Sequence, residues 1–465
     1  MEETIDGRWG ELLTRRYAAT VATLCLGVAL YALNAFLVST SLPTAVVELG
    51  GVGLISWAFT VFLVAAIVGG AAAATLKQRL GTRPALLLAA LAFLAGTLVC
   101  GFAQSMPMVL VGRLFQGAGE GVIAAVCYAL IPEMFPSRLI PKVFGAEAIV
   151  WAAAAFGGPL LSGVLTETVS WRAAFLINVP LIAIFALLVG IVVPAERVRS
   201  GGGTVPVLRL LGCAAGIMLV SVAGIVPQSR QAALCVAAAM LVLAAVVLAD
   251  RRSRDRLFPS DAFTFRSTVG AGLWVVLLMP VAQAATTVYL NITIQHLWGY
   301  GPTMAGYVSA LMALSWSGSA VLVAGIVRPE GQRRLIRIGP FLLALGLLGV
   351  MAALATGQPW LLMLCQVLIG AGFGISWAFL SQAVMEAARP GERDSASALL
   401  PTLQSGGYAI GAALSGLIAN EAGMAAALTP EAIIHAATWV FGIAALLGTL
   451  GFLASFGVRP GGSPS

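Results

Sequence analysis

Arg113 and Glu120 are the residues on which chemistry is expected, because they stand seven positions apart inside an apolar segment, 107–130, that is long enough to cross a bilayer. Seven residues at about 100° each return to nearly the same face of a helix, so the two charges share one stripe with Gln116 between them. An ionised side chain near the bilayer centre costs at least about 2.5–3.5 kcal/mol, so such residues face a bundle interior or a wet cavity and mark function by default. At a rise of ~1.5 Å per residue Glu120 falls near mid-membrane, roughly 10 Å along the axis from Arg113, and Gln116, a water or a substrate has to mediate between them. Desolvation opposes the charged form of the Glu120 carboxyl while Arg113 favours it, which suits a group that gains and loses a proton as its surroundings change. A structural ion pair or hydrogen-bond cluster joining helices is the alternative that remains open. The run Gly117-Ala118-Gly119-Glu120-Gly121 is not a phosphate-binding loop, since no strand precedes it. Small residues at this spacing instead let helix backbones approach closely in lipid.

The rest of the chain supplies the elements that must hold this stripe. Its 465 residues are 60% hydrophobic and 10% charged, with a mean hydropathy of +0.97, which excludes an ordinary soluble globular protein. Apolar windows separated by charged or Pro/Gly breaks predict fourteen spans: 17–39, 53–76, 83–103, 107–130, 142–165, 172–194, 206–227, 231–250, 266–296, 302–327, 335–356, 359–388, 394–420 and 431–457. With the N-terminus inside, every Lys and Arg except Arg113, Arg172 and Arg230 falls on the inner side, so both termini are expected in the cytoplasm. The basic run at 251–256 is then an orientation signal beside anionic lipid headgroups, and no nucleic-acid partner is implied. All six cysteines fall in or at the ends of apolar spans without paired spacing and read as packing residues, neither a disulfide framework nor a metal site. No signal peptide is visible, and no cofactor is implied.

The sequence also repeats. Gly117-Ala118-Gly119-Glu120-Gly121 recurs as Gly370-Ala371-Gly372-Phe373-Gly374, Ser162-Gly163 as Ser415-Gly416, and Glu133 as Glu386, all at one common offset. The reading is an all-α polytopic membrane protein of two six-helix halves, 1–200 and 251–465 with its cytoplasmic linker, separated by a two-helix insert, 201–250. That is the parallel-repeat plan of transporters whose site lies between the halves. The insert contains almost nothing polar and is expected to face lipid.

At this level the residues resemble the major facilitator superfamily, and within it the fourteen-span drug:proton antiporter branch. Leu110 to Gly121 is similar to the family's fourth-helix motif, with Arg113, Gln116 and Gly117 matching, and Gly158-Pro159-Leu160-Leu161-Ser162-Gly163 resembles the fifth-helix Gly-Pro motif associated with antiport. Trp171-Arg172 followed by Phe175 to Pro180, and Gln295 to Gly306, are close to further signatures of the branch. Two departures bear on mechanism: Asn34 stands where the branch typically has an aspartate, and the loop Gln78-Arg79-Leu80-Gly81-Thr82-Arg83 lacks the usual acid at Gln78. The resemblance implies a small-molecule substrate, protons as the coupling ion, a lipid-embedded functional monomer, and a place in the bacterial cytoplasmic (inner) membrane.

The site expected on this basis has Glu120 and Arg113 for proton coupling. Asn34, Gln116, Gln283, Thr287, Asn291, Ser376 and Trp377 are expected to line an apolar, aromatic cavity with few polar groups. Gly158 and Pro159, Arg79, Gly81, Arg83 and Glu147 are expected to act as hinge or gate. For Glu147 a local pair with an inner-side arginine is the competing reading. With Asn34 neutral, the substrates predicted are neutral, zwitterionic or anionic rather than dicationic. The function expected is a proton-driven exporter, with a proton symporter importing an organic acid as the alternative. A polytopic membrane enzyme is remote, since the two histidines, His296 and His435, lie far apart in sequence and no nucleophile constellation is present.

Overall fold

The computed structural model describes residues 9–459, apart from 137, 195–206, 227, 254–258, 260, 263, 327 and 390–392. The expected boundary between first half and insert, at 200–201, lies outside the described residues. Among those described, the chain is helical and contains no strand. The reason is the solvent: a bilayer core offers backbone N–H and C=O groups no water, and a helix satisfies them within one segment.

The long helices are α1 Ala18–Glu48, α2 Ile55–Leu80, α3 Thr82–Gly101, α4 Met106–Met134, α5 Ile140–Thr168, α6 Trp171–Val192, α7 Val207–Ala223, α8 Ser229–Arg252, α9 Thr268–Trp298, α10 Pro302–Val323, α11 Pro329–Thr356, α12 Pro359–Ala387, α13 Arg393–Glu421 and α14 Pro430–Ser455. Proline in the first turn starts α4, α10, α11, α12 and α14, where its missing N–H breaks no helical bond. Glycines at positive φ, Gly299 (66°) and Gly357 (67°), end α9 and α11 in the left-handed conformation that other residues resist.

Among the described residues twelve of these helices are long and apolar enough to cross a membrane. The expected count of fourteen spans is therefore not reached: α7 is an apolar helix of only 17 residues, and α13, at 29 residues, is not among the twelve. The expectation that the insert carries almost nothing polar is also corrected. Arg209 on α7 forms an ion pair with Asp250 on α8, and Asp250 is 1% exposed. A charge at a helix end survives burial because the facing helix supplies its partner.

The chain forms two compact units. One comprises Met1–Ala45 and Val64–Val207, the other Val46–Leu63 and Leu208–Ser465. In the first, α3 packs along α4, and a core of Leu86, Phe93, Ile123, Val126, Ile182 and Phe185 fills the space between α3, α4 and α6. In the second, α12 packs on α10 and α11, and α9 on α13 and α14. Val46–Leu63, from the end of α1 into the first turns of α2, belongs to this second unit. Asn420 on α13 donates to the carbonyls of Gly53 and Gly224, both at 2.9 Å, and Trp57 Nε1 donates to the Ser221 carbonyl at 3.2 Å.

Candidate functional site

The glycines of α4 decide how closely its neighbours approach. A Cβ on Gly112 would overlap Cys100 Sγ and the Gly96 carbonyl, one on Gly119 the Ala89 carbonyl, and one on Gly121 the Ala66 carbonyl. α2 and α3 thus lie backbone to backbone with α4, and the polar side chains of α4 are sealed among helices. Arg113 is 2% exposed, and Asn34, Gln116 and Glu120 are 0% exposed.

Those four side chains form one hydrogen-bonded file. Gln116 Nε2 donates to Thr97 Oγ1 on α3 at 3.0 Å, and Arg113 Nη1 donates to Gln116 Oε1 at 2.8 Å. Arg113 Nη1 also donates to Asn34 Oδ1 on α1 at 3.4 Å, and Asn34 Nδ2 donates to Glu120 Oε2 at 3.0 Å. Each end of the Asn34 amide therefore meets its chemical complement, the acceptor facing the cation and the donor facing the carboxylate. The second carboxylate oxygen, Oε1, is buried and has no hydrogen-bond partner. The file is a buried cation and a buried carboxyl joined through a neutral amide, with one oxygen open to a proton or a donor. That bond-making capacity is what a carboxyl needs if its protonation is to change the bonding of Arg113.

The other sequence-derived candidates divide between the two units. In the first, Pro159 lies inside α5, Ser162 Oγ donates to the Leu37 carbonyl at 2.7 Å, and a Cβ on Gly158 would meet Phe36. Gly81, at φ 89°, makes the turn from α2 to α3, with Arg79 exposed and Arg83 half-buried beside it. Nearby, Lys77 and Glu133 tie the ends of α2 and α4 at 2.5 Å. Glu147 is 3% exposed, and among the described residues neither of its carboxylate oxygens has a hydrogen-bond partner, an arginine included.

In the second unit, α9 contains a π-helical turn, Thr286–Leu290, which the sequence reading took as uninterrupted helix. Gln283 Nε2 donates to Thr286 Oγ1 at 3.2 Å and Thr287 Oγ1 at 3.1 Å around this turn, while Gln283 Oε1 is buried without a partner. Such single turns inside α-helices are frequent at functional sites. Asn291 Oδ1 accepts from Ser309 at 2.6 Å. Trp377 joins Trp316 and Phe373 in an aromatic group, with the Trp316 and Phe373 rings stacked at 4.5 Å. Ser376 points elsewhere: its hydroxyl donates to the Gly372 carbonyl of its own helix at 2.7 Å, hard against Gly339 of α11.

Two participants escaped the sequence reading. Thr97 lies in a span that is otherwise apolar, and nothing in its neighbours marks it. Tyr31, one turn before Asn34, is within electrostatic reach of both Arg113 and Glu120, and that i, i+3 spacing is a signal that could have found it. Asn34 was expected in the cavity wall; its observed bonds make it the bridge, a role the reading had given to Gln116, a water or a substrate.

Comparison with known proteins bears on what such a file does. The model of the Major Facilitator Superfamily matches residues 24–411 and 331–465. A "Probable multidrug-efflux transporter" of Mycobacterium tuberculosis is 33% identical over 440 residues, covering 91% of this chain and 92% of the relative. "Multidrug resistance protein 3" of Bacillus subtilis is 24% identical over 419 residues, covering 87% and 80%. Among solved structures, a D-xylose-proton symporter superposes with a TM-score of 0.67 at 17% identity, covering 96% of this chain and 98% of that one. The POT family transporter PepTSo reaches 0.67 at 14% identity, with 94% and 97% covered. These two likenesses concern the fold alone.

Proposed function

The chain belongs to the major facilitator superfamily, a family of transporters rather than enzymes, and on that premise we propose that it exports small amphipathic molecules in exchange for protons by alternating access. The relative that is 33% identical over most of the chain is named a probable multidrug-efflux transporter, which supports this reading. The observation that carries proton coupling is the file through Asn34: a mid-membrane carboxyl hydrogen-bonded to the same amide as a buried arginine, with its other oxygen unpartnered. Protonation of Glu120 removes its charge, frees the amide from its strongest acceptor and leaves Arg113 to seek another anion or dipole. Deprotonation reverses this and resets the file.

The driving force is sufficient. One charge crossing about 150 mV is worth roughly 3.5 kcal/mol, which supports a gradient of roughly 300-fold for a neutral substrate at 1.36 kcal/mol per decade. In this reading α7 and α13 cross the membrane with the other twelve helices, and the arginine distribution puts both termini in the cytoplasm of a bacterial cell, in its inner membrane. The transporter acts as a monomer. Gln283, Thr287, Asn291 and Trp377 contact substrate, with the unpartnered Gln283 oxygen as acceptor. Gly158 and Pro159 serve as the hinge of α5, since a proline inside a helix removes a backbone donor and permits bending.

The test is accumulation of the neutral fluorescent amphiphile N-phenyl-1-naphthylamine in everted vesicles under an imposed proton gradient. Wild-type vesicles should concentrate the probe and release protons with it. Glu120→Gln should still bind the probe and lose accumulation altogether, a fall to unity from as much as roughly 300-fold. If Glu120→Gln vesicles concentrate the probe as before, the carboxyl is structural and the coupling reading is wrong.

A further inference from the structure

Glu147 is a buried acid of the first unit that takes no part in the file joining Arg113, Asn34 and Glu120. It lies on α5, about 10 Å along the axis from the start of that helix, and it is 3% exposed with both oxygens unpartnered. A permanently charged carboxylate in that position would be desolvated with no hydrogen bond to offset it. Among the described residues the titratable groups within electrostatic reach of it are Cys25 on α1 and Cys127 and Tyr128 on α4, and no lysine, arginine or histidine is among them.

Its position relative to Glu120 is defined by rings. Phe144, Glu147 and Trp151 recur at three and four residues and share one face of α5. Phe144 stacks on Tyr128 with ring centroids 5.9 Å apart, and Trp151 meets Tyr31 edge to face at 5.7 Å. Tyr31 lies within electrostatic reach of Glu120 at one side and of Tyr128 at the other, and Tyr128 within reach of Glu147. Tyr128 is eight residues beyond Glu120 on α4, a step of roughly 12 Å toward the end of the unit where α1 begins and α4 passes into α5. Two tyrosine rings therefore pack on the face of α5 that carries Glu147, and one of them, Tyr31, stands three residues before the Asn34 that bonds Glu120; no oxygen of Glu147 is hydrogen-bonded to either, so water completes any proton route.

We propose that Glu147 is a second proton-binding site, the inner station of a path that runs from Glu120 through the hydroxyls of Tyr31 and Tyr128. The proposal rests on the coupling role of Glu120. In the step, the Glu120 carboxylic acid gives up its proton and the Glu147 carboxylate gains one, while each hydroxyl releases its own proton onward as it accepts another. Glu147 then passes the proton to water at the α4–α5 end and returns to the carboxylate, and no electrons move. The path gives Glu120 a route to one compartment that does not pass through the substrate.

Two measurements on the purified full-length protein test this. Infrared difference spectra across a pH series report the carbonyl band of a protonated carboxylic acid. In Glu120→Gln one band should still titrate above the range of exposed carboxyls, which lies at about 3.9–4.3, and it should vanish in the double variant with Glu147→Gln. Absence in Glu120→Gln of any band that titrates above that range overturns the proposal, and this arm leaves Glu147 untouched. In proteoliposomes, Glu147→Gln should keep binding of N-phenyl-1-naphthylamine but slow proton release by about 100-fold, with Glu147→Asp restoring most of it. Tyr128→Phe should slow release by a smaller factor and serves in place of Glu147→Gln if that variant does not fold. Wild-type release rates and an unchanged pH profile in Glu147→Gln, or in Tyr128→Phe where it stands in, would sink the path. Should Glu120→Gln itself concentrate the probe, the coupling reading fails first; should Glu120→Gln fail while Glu147→Gln is unaffected, only the path is lost.

Discussion

α4 and α12 carry the same glycine pattern and solve the same packing problem, yet they bury opposite chemistry. Gly121 of α4 lies against Ala66 of α2, and its counterpart Gly374 of α12 lies against Trp316, Ser319 and Ala320 of α10. Gly119 meets Ala89 of α3, and Gly372 meets Gly339 and Leu343 of α11. Between these glycines stands Glu120 in one helix and Phe373 in the other, each 0% exposed. Glu120 is bonded to the Asn34 amide; Phe373 is stacked on Trp316 and close to Trp377. A backbone scaffold set by small residues is thus indifferent to the side chain it encloses, and the neighbouring helices decide whether that side chain is a carboxyl or a ring.

The comparison can be broken most severely by moving the carboxyl. Phe373→Glu places an acid against the Trp316 and Trp377 rings, and an uncompensated buried charge should cost about 3–5 kcal/mol. A melting temperature equal to that of the wild type would show that surroundings do not separate the two helices.

A smaller effect tests the shared part. Gly121→Leu and Gly374→Leu each drive a side chain into a neighbouring backbone, and each should destabilise by about 1–3 kcal/mol. Matched losses in detergent unfolding are expected; a loss confined to one helix would mean that the repeat no longer performs the same job in both units.

The smallest effect separates a hydroxyl that holds another helix from one that serves its own. Thr97→Val strands Gln116 Nε2 and should cost about 1 kcal/mol, with the melting temperature falling accordingly. Ser376→Ala removes only a bond to the Gly372 carbonyl of the same helix, which stays paired within the helix, and should leave the melting temperature where it was. Equal effects from both would erase the distinction between a connected file and local satisfaction.

The sequence by itself determined the helical class, the positions of most helices, the internal repeat, and Arg113 and Glu120 as residues out of place in lipid. These are legible because bilayer thickness fixes span length and because burying a charge in hydrocarbon is costly wherever it occurs. Only the tertiary structure decided the partners. Asn34 is 79 residues from Arg113 and 86 from Glu120, and no local pattern reveals that its amide turns one face to each. The same holds for the Arg209–Asp250 pair within the insert, for the π turn beside Gln283, and for Glu147, whose lack of a partner is a property of three helices together. Periodicity tells which face of a helix is polar, but hydrogen bonds between helices depend on rotation and axial shift at a contact, and packing alone sets those.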